Sequence, residues 1–256
     1  METTGSSVAA FIVTDSMGAP DVDAVLRRAS ELDLPLEVEP GDDPARVGFR
    51  LEGGELVGVV AMDSPIPDLD DHPSGPTSPP PELLRAARSH LLVHSTDMLA
   101  LQERAGALAA RTLMSVVTAA IMAGTEAVAA LVGSGRVYHR ADVFDALAAS
   151  AASTAELPAL LLVDVTSAAE PDDRISFLTH GMELVGRDEE IYLTCRLGDR
   201  DGFDWFCALI EHLVDEPSTV LPTGDTIGRD ADEQVVIQHQ LNPSVAGAPV
   251  MRLDLP

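Results

Sequence analysis

Residues 176–193 read "SFLTHGMELVGRDEEIYL", two apolar runs separated by a turn that holds a histidine, a glutamate and two glycines. As a strand, Phe177, Thr179, Gly181 and Glu183 alternate with Leu178, His180, Met182 and Leu184. A period of two puts His180 on the Leu178/Met182 face and Glu183 on the other, so they cannot form an adjacent base–orienter pair. Gly186 suits the turn before "DEEIYL". The expectation is strand, turn, strand, with His180 and Glu183 as candidate ligand-binding residues.

Working outward from this stretch, "DGFDWFCALIEHLVDE" (201–216) has helical spacing, with Asp201 as the expected N-cap. "EQVVIQHQL" and "PVMRLDL" close the chain as strands. Upstream, "SHLLVHS" (89–95) and "ALLLVDV" (159–165) look like buried strands, and 140–153 looks like a helix. An Ala-, Leu- and Met-rich helix is expected from Met98 to about Ala123, broken at Gly124. "EAVAALVGSGRVYH" then gives strand, turn, strand. The element order over 89–165 is therefore β-α-β-β-α-β, the ferredoxin-like order of an antiparallel sheet backed by helices.

The N-terminal part can be read the same way over 8–95, sharing the strand at 89–95. "SVAAFIVTD" is a buried strand, "DVDAVLRRASELD" a helix, and "PLEVEP", "ARVGFRLEG" and "ELVGVVAMDS" three strands, the last two joined at Gly53-Gly54. The fold class is α+β, with a ferredoxin-like arrangement that a distant duplication could have produced. Residues 64–81 hold seven prolines and form an extended connection. The preferred organisation is one α+β unit over 1–256. Its possible subdivision is an N-terminal part at 1–80, with the Pro-rich loop, and a second part at 82–256.

The segment "FLTHGMELVGRDEEIYL", with "GDTIG" (224–228) and "MDSPIP" (62–67), resembles a bacterial family known as domain of unknown function 4261. The matched residues are Thr179, Gly181, Met182, Gly186, Glu189 and Ile191, and the likeness is strongest over about 110–240. Val185 replaces a frequent aromatic, and Tyr192 stands where many relatives carry an acidic residue. The family has no assigned activity, so the resemblance implies no substrate and no catalytic residue.

The chain has a formal charge of −26 and no lysine; all 16 basic residues are arginine. Such a surface repels phosphate backbones and anionic lipid, which speaks against nucleic-acid and membrane partners and leaves basic proteins. Without lysine, Schiff-base chemistry and a P-loop are excluded. Cys195 and Cys207 have no C-x-x-C spacing, which fits a reducing cytoplasm. The N-terminus lacks a basic n-region, and the uncharged run 112–125 is too short to span a bilayer.

Several tempting sites read as structure. His90 and His94 lie about 13 Å apart on a strand, too far to share a metal ion. "DLDDHP" (68–73) clusters carboxylates with His72 but lacks EF-hand spacing, and "GDRDGFD" (198–204) has Ile210 where a calcium loop needs glutamate. "TGDTIG" presents Asp225 and Thr226, candidate ligand-binding residues that more commonly bond their own backbone. No cofactor is expected. The leading expectation is an acidic binding or interaction protein, an immunity-type or regulatory partner of a basic protein. The rival is a hydrolase, or a small-ligand or metal sensor, using His180 and Asp225.

Overall fold

The computed structural model describes residues 9–41, 43–66, 69, 72–95, 104–133, 135–154, 156, 158–216, 218–229, 233–241 and 249–256. The chain divides into two units, 1–72 with 77–161 and 73–76 with 162–256. The main division thus falls after residue 161, and of the Pro-rich stretch only 73–76 go with the second unit. The reason is strand pairing. β4 (Leu56–Met62), before the prolines, pairs antiparallel with β5 (Ser89–Ser95), after them.

In the first unit, β1 (Ala9–Thr14), β2 (Leu36–Glu39), β3 (Arg46–Leu51), β4, β5, β6 (Ala127–Val132) and β7 (His139–Arg140) form a seven-stranded antiparallel sheet. Its order is β2-β3-β4-β5-β1-β6-β7. β1 lies between β5 and β6 and is antiparallel to both, so those two are parallel and α3 (Arg104–Met122) crosses over β1 to join them. Residues 98–103, where the helix was expected to begin, lie outside the described residues.

The unit is α+β, as the sequence suggests, but the ferredoxin-like order over 89–165 needs correction. β1, from outside that segment, occupies the slot between the two parallel strands. The strand expected at 159–165 begins only at Asp164: Ala159–Leu162 is a helical turn, α5, with Leu161 N–H bonded to the Pro158 carbonyl. Ala159, Leu161 and Leu162 are buried, and a short, mostly buried apolar run has no periodicity to separate helix from strand.

α1 (Val22–Glu31), α3 and α4 (Ala141–Thr154) cover one face of this sheet. Asp21 caps α1 by accepting from the Asp23 and Ala24 amides. Phe49, Met114, Ile121 and Phe144 are fully buried in this layer, each contributing roughly 1.5–3 kcal/mol on leaving water. On the opposite face, Leu84 of α2 (Pro81–Ala86) and Ile66 and Leu69 of the Pro-rich segment pack on Val13, Leu131 and Tyr138. Ile66 and Leu69 therefore help to cover the sheet.

α3 ends where Gly124 predicts. The Gly124 carbonyl accepts from the Asp21 amide at 2.7 Å, and a Cβ there would sit 2.7 Å from both the Asp21 carbonyl oxygen and Val25 Cγ2.

The second unit holds β8 (Asp164–Glu170), β9 (Arg174–His180), β10 (Glu190–Arg196), β11 (Thr226–Ile227), β12 (Val235–Val236), β13 (Gln238–Leu241) and β14 (Pro249–Asp254). Its main sheet has the order β13-β14-β10-β9-β8, with β10 and β14 parallel, while β11 and β12 form a separate ribbon. α6 (Arg200–Asp215) packs on β9, the Phe206 ring stacking 6.0 Å from Phe177. Its cap is Asp199, not Asp201. The cap lies two residues earlier than expected, and the Asp199 carboxylate takes the Gly202 amide at 2.9 Å. The other sheet face is polar: Tyr192 and Ser176 both donate to Glu170 at 2.8 Å, and Arg252 lies over the Tyr192 ring.

Gly124→Ala is expected to lower unfolding free energy by roughly 1–3 kcal/mol in urea titration, because backbone on one side of the new methyl cannot yield.

Candidate functional site

The stretch that opens the sequence reading is a strand that stops short. β9 ends at His180; Gly181 takes φ +103° and Gly186 φ +84°, and Met182–Val185 between them form a 3₁₀ turn. The expected alternation through Leu184 is therefore corrected: Glu183 lies on the turn, exposed, and on neither face of the sheet. Left-handed backbone favours glycine, so the two glycines set where the chain leaves and rejoins the sheet. Met182 and Val185 are fully buried and anchor the turn in the core.

The organiser is Glu190, which the sequence reading missed. Its carboxylate accepts the Thr179 hydroxyl at 2.7 Å, the Gly181 amide at 2.9 Å and the Met182 amide at 3.3 Å. The Thr179 hydroxyl oxygen in turn accepts the Ile191 amide at 2.7 Å. Strand-end amides that would lack partners are thereby satisfied. The available signal was an acidic residue at the start of a strand, a few positions after a glycine turn.

Glu189, the neighbour matched in the family pattern, does something else. It accepts from His239 Nδ1 at 2.7 Å, while His239 Nε2 meets the Leu221 carbonyl at 2.8 Å. Arg187 donates to the Thr219 carbonyl at 3.1 Å. Together Gly186–Glu189, Ser218–Thr223, His239 and Pro249 line a pocket of about 490 Å³. It combines an apolar wall (Val220, Leu221, Pro222, Pro249) with hydroxyls and both signs of charge.

The four candidate residues do not gather there. His180 lies at the end of β9 opposite Asp164, its Nε2 3.0 Å from the Thr166 hydroxyl. Asp225 and Thr226 are exposed on the separate ribbon. The Asp225 amide bonds the Pro222 carbonyl at 3.2 Å and its carbonyl takes the Ile237 amide at 2.9 Å, which is turn architecture. His180 and Asp225 thus belong to different sheets.

The remaining histidines of interest are structural. His90 bonds the Ser64 carbonyl at 2.8 Å, and His94 faces Gly58 across the sheet. His72 packs edge-on against Tyr138, while three carboxylates of "DLDDHP" lie outside the described residues. His139 is buried, accepts or donates at Thr77 (2.8 Å), and burial and Arg111 depress it to about 4, which keeps it neutral. Among the described residues, no three His, Cys, Asp or Glu side chains gather as a metal site. No described helix is long and apolar enough to cross a membrane. Comparison with protein-family models, curated proteins and solved structures finds no match.

Replacing Glu190 with Gln puts an amide donor against backbone donors and is expected to cost roughly 1–3 kcal/mol. Thr179→Val should cost a similar amount. In a double-mutant cycle the two losses should be clearly non-additive by urea unfolding, since both remove one shared network.

Proposed function

We propose that this chain is an acidic binding protein, an immunity-type or regulatory partner that recognises a basic protein. The observation that carries the reading is the charge of −26, of which α6 displays a continuous share. Asp201, Asp204, Glu211 and Asp215 are all exposed, at spacings that keep them on one side of the helix. Their field is felt locally. Burial first, then Glu211 and Asp204, push the Cys207 thiol up to about 12. Such a row raises the encounter rate with a cationic partner and discourages nucleic acid.

Arg28, Arg46, Arg50, Arg140, Arg229 and Arg252 are each held by a carboxylate of this chain, and the 42 acidic residues far outnumber all 16 arginines. Cytoplasmic residence belongs to the same proposal and is supported by Cys195 and Cys207 being free thiols. So does kinship with domain of unknown function 4261, supported by Thr179, Gly181, Met182 and Gly186, the residues that build the turn. The alternative, a hydrolase or a small-ligand or metal sensor using His180 and Asp225, keeps only His180, since Asp225 lies at the separate ribbon. The Thr166 hydroxyl within reach of His180 favours a role for that histidine.

Co-purification from the native host at low and moderate salt is expected to recover one stoichiometric basic protein. Neutralising α6 with Asp201→Asn, Asp204→Asn, Glu211→Gln and Asp215→Asn should weaken that complex about tenfold, chiefly through slower association. Recovery of no stoichiometric partner at either salt, or a complex indifferent to the four changes, contradicts the reading.

A further inference from the structure

We propose that residues 218–223 form a strap tied across the 490 Å³ pocket by one permanent and one titratable cation, so that rising pH frees it at Leu221 and opens the pocket. Backbone bonds fix its two ends, Thr219 N–H to the Glu216 carbonyl and Gly224 N–H to the Ile237 carbonyl, both at 2.9 Å. Its side-chain ties are Arg187 to the Thr219 carbonyl (3.1 Å) and His239 Nε2 to the Leu221 carbonyl (2.8 Å). The acceptors are alternate residues of one irregular run, and both donors come from the sheet side of the pocket, the turn before β10 and β13.

His239 is held at both nitrogens. Nδ1 lies 2.7 Å from the Glu189 carboxylate and Nε2 faces a backbone carbonyl. Carboxylates and carbonyls only accept, so both ring nitrogens must donate, and a ring that donates twice is an imidazolium. The charged groups around it are few. The turn brings Glu189, Asp188 and Arg187; the strap (Ser218 to Thr223) brings none; β14 brings Pro249 and the register partner Met251, with Arg252 one position on, lying over Tyr192 and paired with Asp254; and its own strand offers Gln238 and Gln240. The hydrogen bonds to Glu189 and to the Leu221 carbonyl raise its pKa above the ordinary value, outweighing burial and Arg187, which lower it.

When the ring loses a proton, one N–H remains. The carboxylate is the stronger acceptor and keeps it at Nδ1. The Nε2 lone pair then confronts the Leu221 oxygen, and that tie fails. The Arg187 guanidinium retains Thr219 and the Gly224 amide retains the Ile237 carbonyl, so the strap loosens between them, at Leu221. The sign follows from the raised pKa: the tie's stabilisation is complete below the ordinary histidine value of 6.5 and is lost as pH climbs through the folded value.

The test uses the full-length ¹⁵N-labelled chain, with imidazole nitrogen resonances and amide exchange at the strap's C-terminal edge followed from about pH 5 to pH 9. Both His239 nitrogens should be protonated at the acidic end, with a midpoint above 6.5. Exchange at the strap's C-terminal edge, at Asp225, whose amide bonds the Pro222 carbonyl beside Leu221 at 3.2 Å, should accelerate several-fold through that same midpoint, beyond the ordinary base-catalysed rise. Glu189→Gln should move both transitions to lower pH, and His239→Gln should abolish the step. A wild-type His239 midpoint at or below 6.5, or strap exchange that shows no step at the His239 midpoint, overturns the proposal.

Discussion

The Glu190 carboxylate decides the shape of the second unit. β9 could have continued straight past His180, exposing its next amides at the end of the ladder. Instead a side chain from the adjacent strand takes the Thr179 hydroxyl and the Gly181 and Met182 amides together. A buried donor without a partner costs as much as several surface contacts contribute, so this convergence outweighs the local preference for a longer strand. The chain then folds Met182 and Val185 into the core and returns with Arg187 and Glu189 pointing at the strap. Turn, pocket and strap all descend from that one carboxylate.

The strong negative charge shapes the interior as well as the surface. An excess of 42 acidic over 16 basic residues repels itself and opposes compaction. The fold uses several acids as acceptors for neutral donors: Glu190 for amides, Glu170 for Tyr192 and Ser176, Asp199 for the Gly202 amide. Two arginines each meet two acids. Arg229 joins Asp199 to Glu233, and Arg28 joins Glu31 to Asp145, tying α1 to α4. What remains unneutralised lies outside, on surfaces such as the α6 row.

Much of the fold was legible in the residues. The strand at Ala9–Thr14, the Asp21-capped helix, the hairpin after Leu51 and the stop at Gly124 all follow from local pattern and turn chemistry. Strand order was not, because β1 enters between β5 and β6 from far along the chain, and no local spacing encodes that insertion. Ala159–Leu162 failed for a related reason: a buried four-residue apolar run looks alike in either conformation. The candidate site was half visible. The stretch containing Gly181, Gly186 and Glu189 was singled out, but as strand, turn, strand with His180 and Glu183 in view. Glu190 and His239 went unnoticed because their roles depend on partners eleven and eighteen positions away, Thr179 and Leu221.

Amide hydrogen exchange at Gly181 and Met182 tests the central claim most directly. If the Glu190 carboxylate holds the turn, these two amides exchange slowly at neutral pH, comparably to amides inside β9 and β10. Exchange at the rate of an open loop, with the β9 interior still protected, would show that the carboxylate does not hold them and would contradict the account.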